Sequence, residues 1–462
     1  MSPWRVVVWG MLLMATPSMG LGQTYEDIFE QFEDANLPEL SDLLRDLVPN
    51  PIRINAISSD SIASLWFLQE DQMAALIDLH EKFAPHLTNE QIARAIHLPI
   101  ETVEILFSDD QPVRPRRLSL RNRSRVKQAG LQQDLRFELQ YRGWHLGWLQ
   151  EKDAGEKRLD DFLSGYIKYA PARQNFEWIL GDFTVQVASG LVLAGPYGQP
   201  TLTLPRTVVA FHPPRARPYR SVAENLAFRG IAAHLKLSRL DLLALFSRAK
   251  RDATPGPGNI IVSRPLSGYH RTAYEMSARK RLREEVQGLS VSAEVLPHLQ
   301  LGITLLQQRF DHEIQPADSI RQHFSFRGRS NFIRGIHFFY QAESGQFFGE
   351  LARTGVDMAI LLGTRLQFSK MSLVAATWRA GANFHNDYGA LPGENIGRVS
   401  NQTAFYIGLD HRSRLGKITL YLHRMQTPWR TFTYPMPIQR QELGLQWERH
   451  LGRHLFVLAR YR

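Results

Sequence analysis

The spacing of hydrophobic residues changes near Leu118 and divides the sequence into two parts. Before Leu118, apolar residues recur every three or four positions, which predicts amphipathic helices. After it, apolar and polar residues alternate one by one, which is typical of β-strands because successive side chains point to opposite faces. From Val356 to Phe368, for example, one predicted face is apolar and the other carries Asp357, Arg365 and Gln367.

The alternating segments are about ten residues long, a length that suits strands crossing a bilayer at a tilt. The same alternation recurs in 403–410, 417–424 and 441–450. We therefore predict roughly 14 to 18 antiparallel strands. Long polar or Gly/Pro-rich interruptions, which predict long loops on one rim, lie at 195–224, 252–272, 311–325 and 383–400.

A soluble β-sandwich would show the same alternation, so two further features decide between the folds. About 350 residues exceed an ordinary sandwich of roughly 100 residues. Aromatic residues also lie near many predicted strand ends, where they would form the interfacial girdles of a membrane barrel. They are Tyr141, Trp144, Trp148, Tyr166, Tyr169, Trp178, Phe338, Phe339, Tyr340, Trp378, Trp429, Trp447 and Tyr461. The pattern favours a membrane barrel.

The N-terminal part predicts several short helices. They lie at 25–47, where Pro38 separates two of them, at 59–65, at 71–83, at 89–96 and at 101–107. Thr88 precedes the fourth of these segments, and its hydroxyl can accept a hydrogen bond from an N–H group of the first turn. Thr88 is therefore predicted to cap that helix.

Charge is distributed as unevenly as hydrophobicity. Residues 23–111 hold 18 acidic and 4 basic residues, a balance of −14, whereas residues 112–462 hold 50 basic and 27 acidic residues, a balance of +23. Residues 1–22 contain Arg5 followed by a short apolar run, which is typical of a cleavable signal peptide. We predict a signal peptide at 1–22, an acidic helical domain at 23–111, a linker at 112–117 and a barrel at 118–462.

Few residues suggest an enzyme. The chain has no cysteine, which excludes a thiolate metal site and a cysteine nucleophile, and no histidine lies in an HExxH motif. Ser189 does not lie in a Gly-x-Ser-x-Gly motif. The strongest polar cluster is Tyr269, His270, Arg271 and Thr272, which we interpret as a structured loop. No catalytic, metal-binding or cofactor-binding residue is predicted.

Arginines occupy alternate positions of many predicted strands, and two interpretations remain open. In the first, they line the lumen, where a positive potential would favour an anionic solute or a nucleic-acid strand, or they meet lipopolysaccharide phosphates at the outer rim. In the second, they pair with acidic residues inside a closed barrel. The arginines are Arg327, Arg329, Arg334, Arg353, Arg365, Arg379, Arg412, Arg424, Arg440, Arg449 and Arg460, and the acidic residues are Asp182, Asp357, Asp410, Glu442 and Glu448.

Residues 54–106 resemble the tandem helix-hairpin-helix domain of competence-type DNA-binding proteins, with "IRIN" at 52–55 near the opening phrase. The phrases at 180–193, 217–235 and 268–275 are similar to phrases of a largely uncharacterised family of exported bacterial proteins. That family joins a helix-hairpin-helix domain to an outer-membrane barrel. The resemblance implies an α+β multidomain fold: a small all-α helix-hairpin-helix domain in the periplasm, followed by a large antiparallel transmembrane β-barrel in the outer membrane.

The hairpins depart from the DNA-binding pattern. In that pattern, glycine-rich hairpins bring backbone N–H groups up to a phosphate. Here the corresponding residues are Trp66, Phe67, Leu68 and Gln69 in the first hairpin and Ile96, His97, Leu98 and Pro99 in the second. All four expected glycines are missing, and an acidic domain repels DNA. A degenerate domain that serves as a scaffold or a cap is therefore predicted.

Three functional hypotheses follow. The leading one is a non-enzymatic outer-membrane protein, acting as a channel, receptor or envelope scaffold, with membrane lipid, lipopolysaccharide and an anionic solute as partners. The second is a DNA-binding or DNA-uptake protein that uses the helix-hairpin-helix domain. The third is a barrel-embedded hydrolase, which requires a serine, a histidine and a polar orienting group facing one another on the barrel wall.

Overall fold

The computed structural model divides into two compact units, Met1–Arg117 and Leu118–Arg462. It describes residues 52–56, 70–83, 87–96, 103, 106–108, 116–127, 130–152, 162–171, 175–195, 211–219, 227–265, 268, 270–320, 322–368, 370–393, 399–413, 416–430, 436–451 and 455–461. Outside these lie the predicted signal peptide, the predicted helices at 25–47 and 59–65, and Trp66, Phe67, Leu68, Gln69, His97, Leu98, Pro99 and Tyr269. No described helix is long and apolar enough to span a membrane.

The described part of the first unit contains two helices and a short strand pair. The elements are β1 (Ile52–Arg53), a 3-10 helix (Ile54–Ala56), α1 (Glu70–Phe83), α2 (Asn89–Ile96) and β2 (Phe107–Ser108). Ile96, predicted to begin the second hairpin, ends α2 and is buried. The domain was predicted to be all-α, with Phe107 in a helix. Instead Phe107 is extended, pairs in parallel with Ile52 and is buried, so packing overrides the local helical pattern.

The predicted helix cap at Thr88 is confirmed. The Gln91 N–H donates to Thr88 Oγ1 at 3.3 Å, and the Thr88 N–H donates to Gln91 Oε1 at 3.0 Å. This reciprocal pair is a capping box, which satisfies two N–H groups that the start of a helix would leave without partners. It fixes the start of α2.

The second unit is a closed antiparallel barrel. Its described residues form 18 strands of 7 to 16 residues, at the upper end of the predicted range. They are β3 (Arg116–Lys127), β4 (Gly130–Tyr141), β5 (Trp144–Lys152), β6 (Phe162–Tyr169), β7 (Phe176–Ala188), β8 (His212–Pro218), β9 (Phe228–Lys236), β10 (Leu240–Arg251), β13 (Leu282–Leu296), β14 (Leu299–Ile314), β15 (Gly328–Ala342), β16 (Gly345–Arg353), β17 (Met358–Phe368), β18 (Met371–Ala380), β19 (Gln402–Ser413), β20 (Gly416–Thr427), β21 (Ile438–Leu451) and β22 (Leu455–Tyr461). Two shorter strands, β11 (Thr254–Pro255) and β12 (Ile260–Ser263), and the helix α3 (Ala273–Ala278) lie between β10 and β13.

The two rims differ in their connections. One rim carries connections of two to six residues, such as those after Tyr141, Leu296 and Ala342. The other carries long connections, at 189–211, 252–281, 315–327 and 381–401 among others. The predicted long loops overlap this second set. A further insertion, at 219–227, separates β8 from β9. Both strands pair with β7, one after the other along its length, and they meet at Phe183, which pairs with both Pro218 and Phe228.

The barrel wall has apolar residues outside and many polar residues inside. On β19, Phe405 and Ile407 are 40% and 43% exposed, whereas Tyr406 and Asp410 are 1% and 3% exposed. The same alternation holds on β20, β15 and β17, so the predicted two-faced strands are confirmed. A soluble sandwich would bury its apolar face instead. The single closed sheet and its polarity exclude the sandwich interpretation.

Some predicted girdle aromatics lie on the outer face and others do not. Trp144, Tyr169 and Trp178 form a cluster near the short-connection rim, with ring centroids 4.7 to 6.4 Å apart. The prediction was wrong for Tyr166, Phe339 and Trp378, whose side chains point inward: Tyr166 and Trp378 are buried, and Phe339 packs against the interior cluster. Neighbouring residues of a strand point to opposite faces, so an aromatic residue one position away from the outward row points inward. The prediction used only closeness to a strand end and did not determine which face these three residues occupy.

Candidate functional site inside the barrel

Two connections from the long-connection rim fold inward and pack against each other. We call two segments the plug: residues 188–195, which begin at the last residue of β7, and residues 381–393, which follow β18. Backbone hydrogen bonds join the two segments: the Ala194 N–H donates to the Tyr388 carbonyl at 2.8 Å, and the Ala390 N–H donates to the Gly190 carbonyl at 2.9 Å. The plug residues with no exposed surface are Ala188, Ser189, Leu191, Val192, Phe384, Ala390 and Leu391.

The first plug segment turns sharply because three of its residues adopt positive φ angles. Ala188 has φ 51°, Gly190 has φ 83° and Gly195 has φ 80°. Glycine adopts this conformation without steric cost, whereas alanine does not. The turn brings several consecutive backbone N–H groups to one side, where they can bind an anionic group together.

The group bound in this way is the side-chain carboxyl group of Glu350, which projects inward from β16 and is 3% exposed. Its two oxygens accept hydrogen bonds from the N–H groups of Ser189 at 2.9 Å, Leu191 at 3.1 Å and Val192 at 3.1 Å. A buried carboxylate needs such donors, because an unpaired charge in the interior is costly. Glu350 therefore attaches the plug to the barrel wall.

Asn386 joins the two plug segments through its side chain. Its amide nitrogen donates to the carbonyl oxygens of Leu191 at 2.6 Å and Val192 at 2.9 Å, and its amide oxygen accepts from the Tyr388 N–H at 3.0 Å. Val192 also contacts the wall at Gly335 of β15, where an added Cβ would lie 2.6 Å from a Val192 methyl carbon. Glycine at that position leaves room for the plug.

A charged network attaches the second plug segment to other strands. Glu284 of β13 accepts from Arg251 at 2.7 Å, from the Tyr388 hydroxyl at 2.7 Å and from Gln308 at 2.6 Å. Gln308 also donates to Asp387 at 2.6 Å. Burial, followed by the Glu284 charge, raises the pKa of Tyr388 well above its usual value, so the phenol keeps the proton that it donates to Glu284.

Arg264 completes this network from the 252–281 connection. Its guanidinium donates to both Asp387 oxygens, the longer contact being 3.0 Å, and lies over the rings of Phe310 and Phe326 at 5.2 and 5.9 Å. Burial raises the pKa of the Asp387 carboxyl, but the Arg264 charge and the hydrogen bonds from Arg264 and Gln308 lower it further, and the net pKa is below its usual value. The Asp387 carboxylate is thus charged and paired.

A cavity of about 310 Å³ lies beside this network. Its lining includes Arg264, Phe324, His385, Asn401 and Arg430. Burial, followed by the opposing charges of Asp387 and Arg264, leaves the pKa of His385 below its usual value, so the imidazole is neutral at pH 7. The cavity therefore combines cationic, neutral polar and aromatic side chains.

Several other charged side chains in the described barrel interior form ion pairs. Near the short-connection rim, Lys168 lies 2.8 Å from Glu177, and His234 lies 3.2 Å from Glu177 and 2.6 Å from Asp241. Lys417 lies 3.5 Å from Asp410. These contacts agree with the interpretation in which interior charges neutralise one another, although the bases involved are not the predicted arginines.

The predicted arginines are divided between the two faces. Arg365 lies on the inward face of β17, whereas Arg334, Arg353, Arg379 and Arg424 are exposed on the apolar outer face. Of the predicted acidic partners, Asp182 does bind an arginine, but it is Arg229, at 2.7 Å. The side chains of Arg412, Arg460 and Glu448 lie outside the described residues.

One serine and histidine pair faces the interior, which the sequence did not reveal. Ser292 Oγ lies 3.0 Å from His337 Nε2, across β13, β14 and β15. The other ring nitrogen, Nδ1, has no hydrogen-bond partner among the described residues. Gly302 lies directly beneath the ring, since an added Cβ would be 2.1 Å from Nε2. Among the residues that the structure describes, no group binds Nδ1 in the way that the third member of a hydrolytic triad orients its histidine.

The predicted polar cluster forms local structural contacts. His270 is buried, and its Nε2 lies 3.0 Å from Asp252 Oδ2, while Asp252 Oδ1 accepts from the Lys280 N–H at 2.8 Å. Thr272 caps α3, and Glu275 accepts from the N–H groups of both Arg271 and Thr272. The contacts of these described members are thus those of a structured loop.

Comparisons with known proteins give structural neighbours only. No family model and no curated protein matches the chain. Among solved structures, it is similar to a Rhodopseudomonas blastica porin (11% identity, 72% of this chain and 99% of that one, TM-score 0.31). It is also similar to Pseudomonas aeruginosa OpdQ (12% identity, 75% and 89%, TM-score 0.36) and OccK5 (10% identity, 75% and 89%, TM-score 0.33). Likeness at these scores carries no argument about solute or mechanism.

Proposed function

We propose that this protein is a non-enzymatic β-barrel of the outer membrane whose lumen is a path closed by the plug. The observation that carries the proposal is the reversed polarity of the wall. Apolar side chains are exposed on strand after strand, whereas Ser290, Thr304, Glu350 and Thr419 are buried inside. Exposed apolar faces of this extent are costly in water but stable in lipid.

The height of the apolar face supports a membrane location. On β17 the outward positions run from Met358 through Ile360, Leu362, Thr364 and Leu366 to Phe368, and none of these residues is charged. Ten steps of about 3.4 Å along a strand tilted by about 40° correspond to roughly 26 Å along the membrane normal. The apolar band of outer-membrane barrels is about 25 Å tall.

The connections suggest an orientation. Outer-membrane barrels place short turns in the periplasm and long loops outside the cell. In this orientation, the plug and the cavity beside Arg264 belong to the external side, and a solute that reaches the cavity meets the plug before the lumen. We infer a channel that is closed in this conformation, with the Glu350 contact as the attachment that must break for the path to open.

Cell fractionation tests the location. The protein is expected in the outer-membrane fraction, with gel mobility that changes on boiling because a folded barrel resists the detergent. Purified protein should also insert into lipid vesicles and show protection of its barrel from added protease. Recovery in the soluble periplasm, with heat-independent mobility, would contradict the proposal.

We also propose that residues 23–111 form a periplasmic scaffold and do not bind DNA. The balance of −14 supports this, since phosphate binding depends on cations that displace counterions. On the described helix α1, the acidic residues outnumber the single lysine. The purified segment should leave duplex DNA unshifted at low salt; a shift with steep salt dependence would favour the DNA-uptake alternative.

A further inference from the structure

A set of basic side chains surrounds part of the outer wall near the long-connection rim. We call it the collar. Its members are exposed, and each shares its strand face with the apolar outer residues: Arg248, Lys250, Arg283, Arg309, Arg334, Arg353, Arg379 and Arg424. On β14, for example, the outward face passes from Leu301 and Ile303 to Arg309 as the strand approaches the rim. The collar therefore lies at the edge of the apolar band.

Four members of the collar form two pairs of directly opposed like charges. Lys250 is the cross-strand partner of Arg283, and Arg334 is the cross-strand partner of Arg353. Like charges in this position repel each other and destabilise a sheet. None of these four side chains forms an ion pair with another described residue. This contrasts with the paired charges inside the barrel.

The acidic residues Glu285 and Asp311 on the same outer face form no ion pair with a collar side chain among the described residues. Glu285 lies opposite Arg248 on one side and Arg309 on the other, but forms no ion pair with either in the described structure. Asp311 accepts hydrogen bonds from the Arg283 backbone N–H at 2.9 Å and from His312 at 2.7 Å, and it attracts the Arg283 charge without forming an ion pair with the guanidinium. The opposed pairs thus have a charge that a bound anion would satisfy.

We propose that the collar binds the phosphate groups of lipopolysaccharide, the glycolipid of the outer leaflet. The inference rests on the proposed outer-membrane location. A ligand at this site must place acyl chains against the apolar band and an anionic group immediately above it. A phosphorylated membrane glycolipid has this arrangement. Arginine binds phosphate with two parallel hydrogen bonds, and a phosphate between opposed cations removes their repulsion.

The position of the collar keeps its own cost small. A cation on the lipid-facing surface is costly at the bilayer midplane, but this cost becomes small near the interface with water. Arg334 is the member nearest the apolar band, since Phe332 lies beyond it on β15, and its guanidinium lies 5.6 Å from the Phe332 ring. This contact keeps the guanidinium directed towards the rim, where a phosphate would lie.

Binding of defined lipids to the folded full-length protein in detergent tests the proposal. The probes are bisphosphorylated lipid A, the same lipid with its phosphates removed, and inorganic phosphate. The variant K250Q/R283Q/R334Q/R353Q removes both opposed pairs. Its affinity for bisphosphorylated lipid A should fall at least tenfold, and wild-type binding should weaken steeply with salt because the contact is ionic.

A matched variant distinguishes the collar from general surface charge. K236Q/K370Q removes exposed lysines near the short-connection rim and should keep wild-type affinity. Equal binding of the dephosphorylated lipid, equal competition by inorganic phosphate, or an equal loss in the control variant would each overturn the collar proposal alone. Failure of the wild-type chain to insert into lipid vesicles would overturn the outer-membrane proposal and the collar with it.

Discussion

Replacing Glu350 with alanine is expected to open the barrel. The carboxylate accepts three hydrogen bonds from the first plug segment, and the substitution removes all three acceptors while leaving the strand in place. The N–H groups of Ser189, Leu191 and Val192 would then be buried without partners. They can regain hydrogen bonds only if the turn moves into water, so the substitution favours displacement of the plug.

The magnitude follows from the three bonds. A net contribution of about 1 kcal/mol for each bond, which is typical of a hydrogen bond in a protein, gives about 3 kcal/mol in favour of the displaced turn. Because about 1.4 kcal/mol corresponds to a tenfold change in an equilibrium constant, the population with the turn displaced should rise more than a hundredfold. The hydrogen bonds of Asn386 and Asp387 would still hold the second plug segment, so we expect partial opening.

Single-channel conductance in planar bilayers measures this effect. Glu350→Ala should show frequent open events, whereas wild type stays mostly closed. Asp410→Ala is the control, because it removes another buried carboxylate whose partners are Thr419 and Lys417 and not the plug. If Glu350→Ala keeps heat-modifiable mobility but conducts no more than wild type and the control, the Glu350 contact does not close the path.

Three further predictions test the wall, the helix cap and the Asp387 pair. Ile303→Lys should destabilise the vesicle-folded barrel by about 2 to 4 kcal/mol in urea titrations, whereas Arg309→Lys should change it by under about 1 kcal/mol. Thr88→Ala should cost about 1 kcal/mol through loss of the capping box and should speed amide hydrogen exchange in α2. Because folding lowers the pKa of Asp387, the charged Asp387 carboxylate stabilises the folded protein at any pH above the usual carboxyl pKa. This stabilisation is lost as the pH falls through the lowered pKa. Arg264→Met should therefore shift acid-induced proteolysis of the plug to higher pH.

The barrel could be predicted from the sequence because its main signal is local. Alternation with a period of two needs only neighbouring residues, and it identified the outward faces of β17, β19 and β20 without any knowledge of strand pairing. The cap at Thr88 is also local, since donor and acceptor lie three residues apart. The assignment of Phe107 to a helix was wrong because its strand partner, Ile52, lies far away in the sequence.

The candidate site could not be predicted because its contacts join distant segments. Glu350 lies about 160 residues from the N–H groups that it binds. In the sequence it is one acid in "FFGELAR", and only the strand register places it inside. The positions of two glycines also depend on the strand register. Gly147 lies under the ring of Tyr166, and Gly444 lies under the ring of Tyr421, in each case on a neighbouring strand. From the sequence alone, neither glycine can be distinguished from a glycine in a turn.

Under the proposed outer-membrane location, the positive charge of the C-terminal part gains a different meaning. A balance of +23 suggested a positive lumen that attracts anions. Inside the barrel, however, Arg251, Arg264, Lys168 and Lys417 each lie against an acidic side chain, so their fields largely cancel. The eight basic residues of the collar lie instead on the outer wall. Net charge alone therefore does not predict a positive lumen, and we expect the selectivity of the proposed channel to depend on the plug and the cavity beside Arg264.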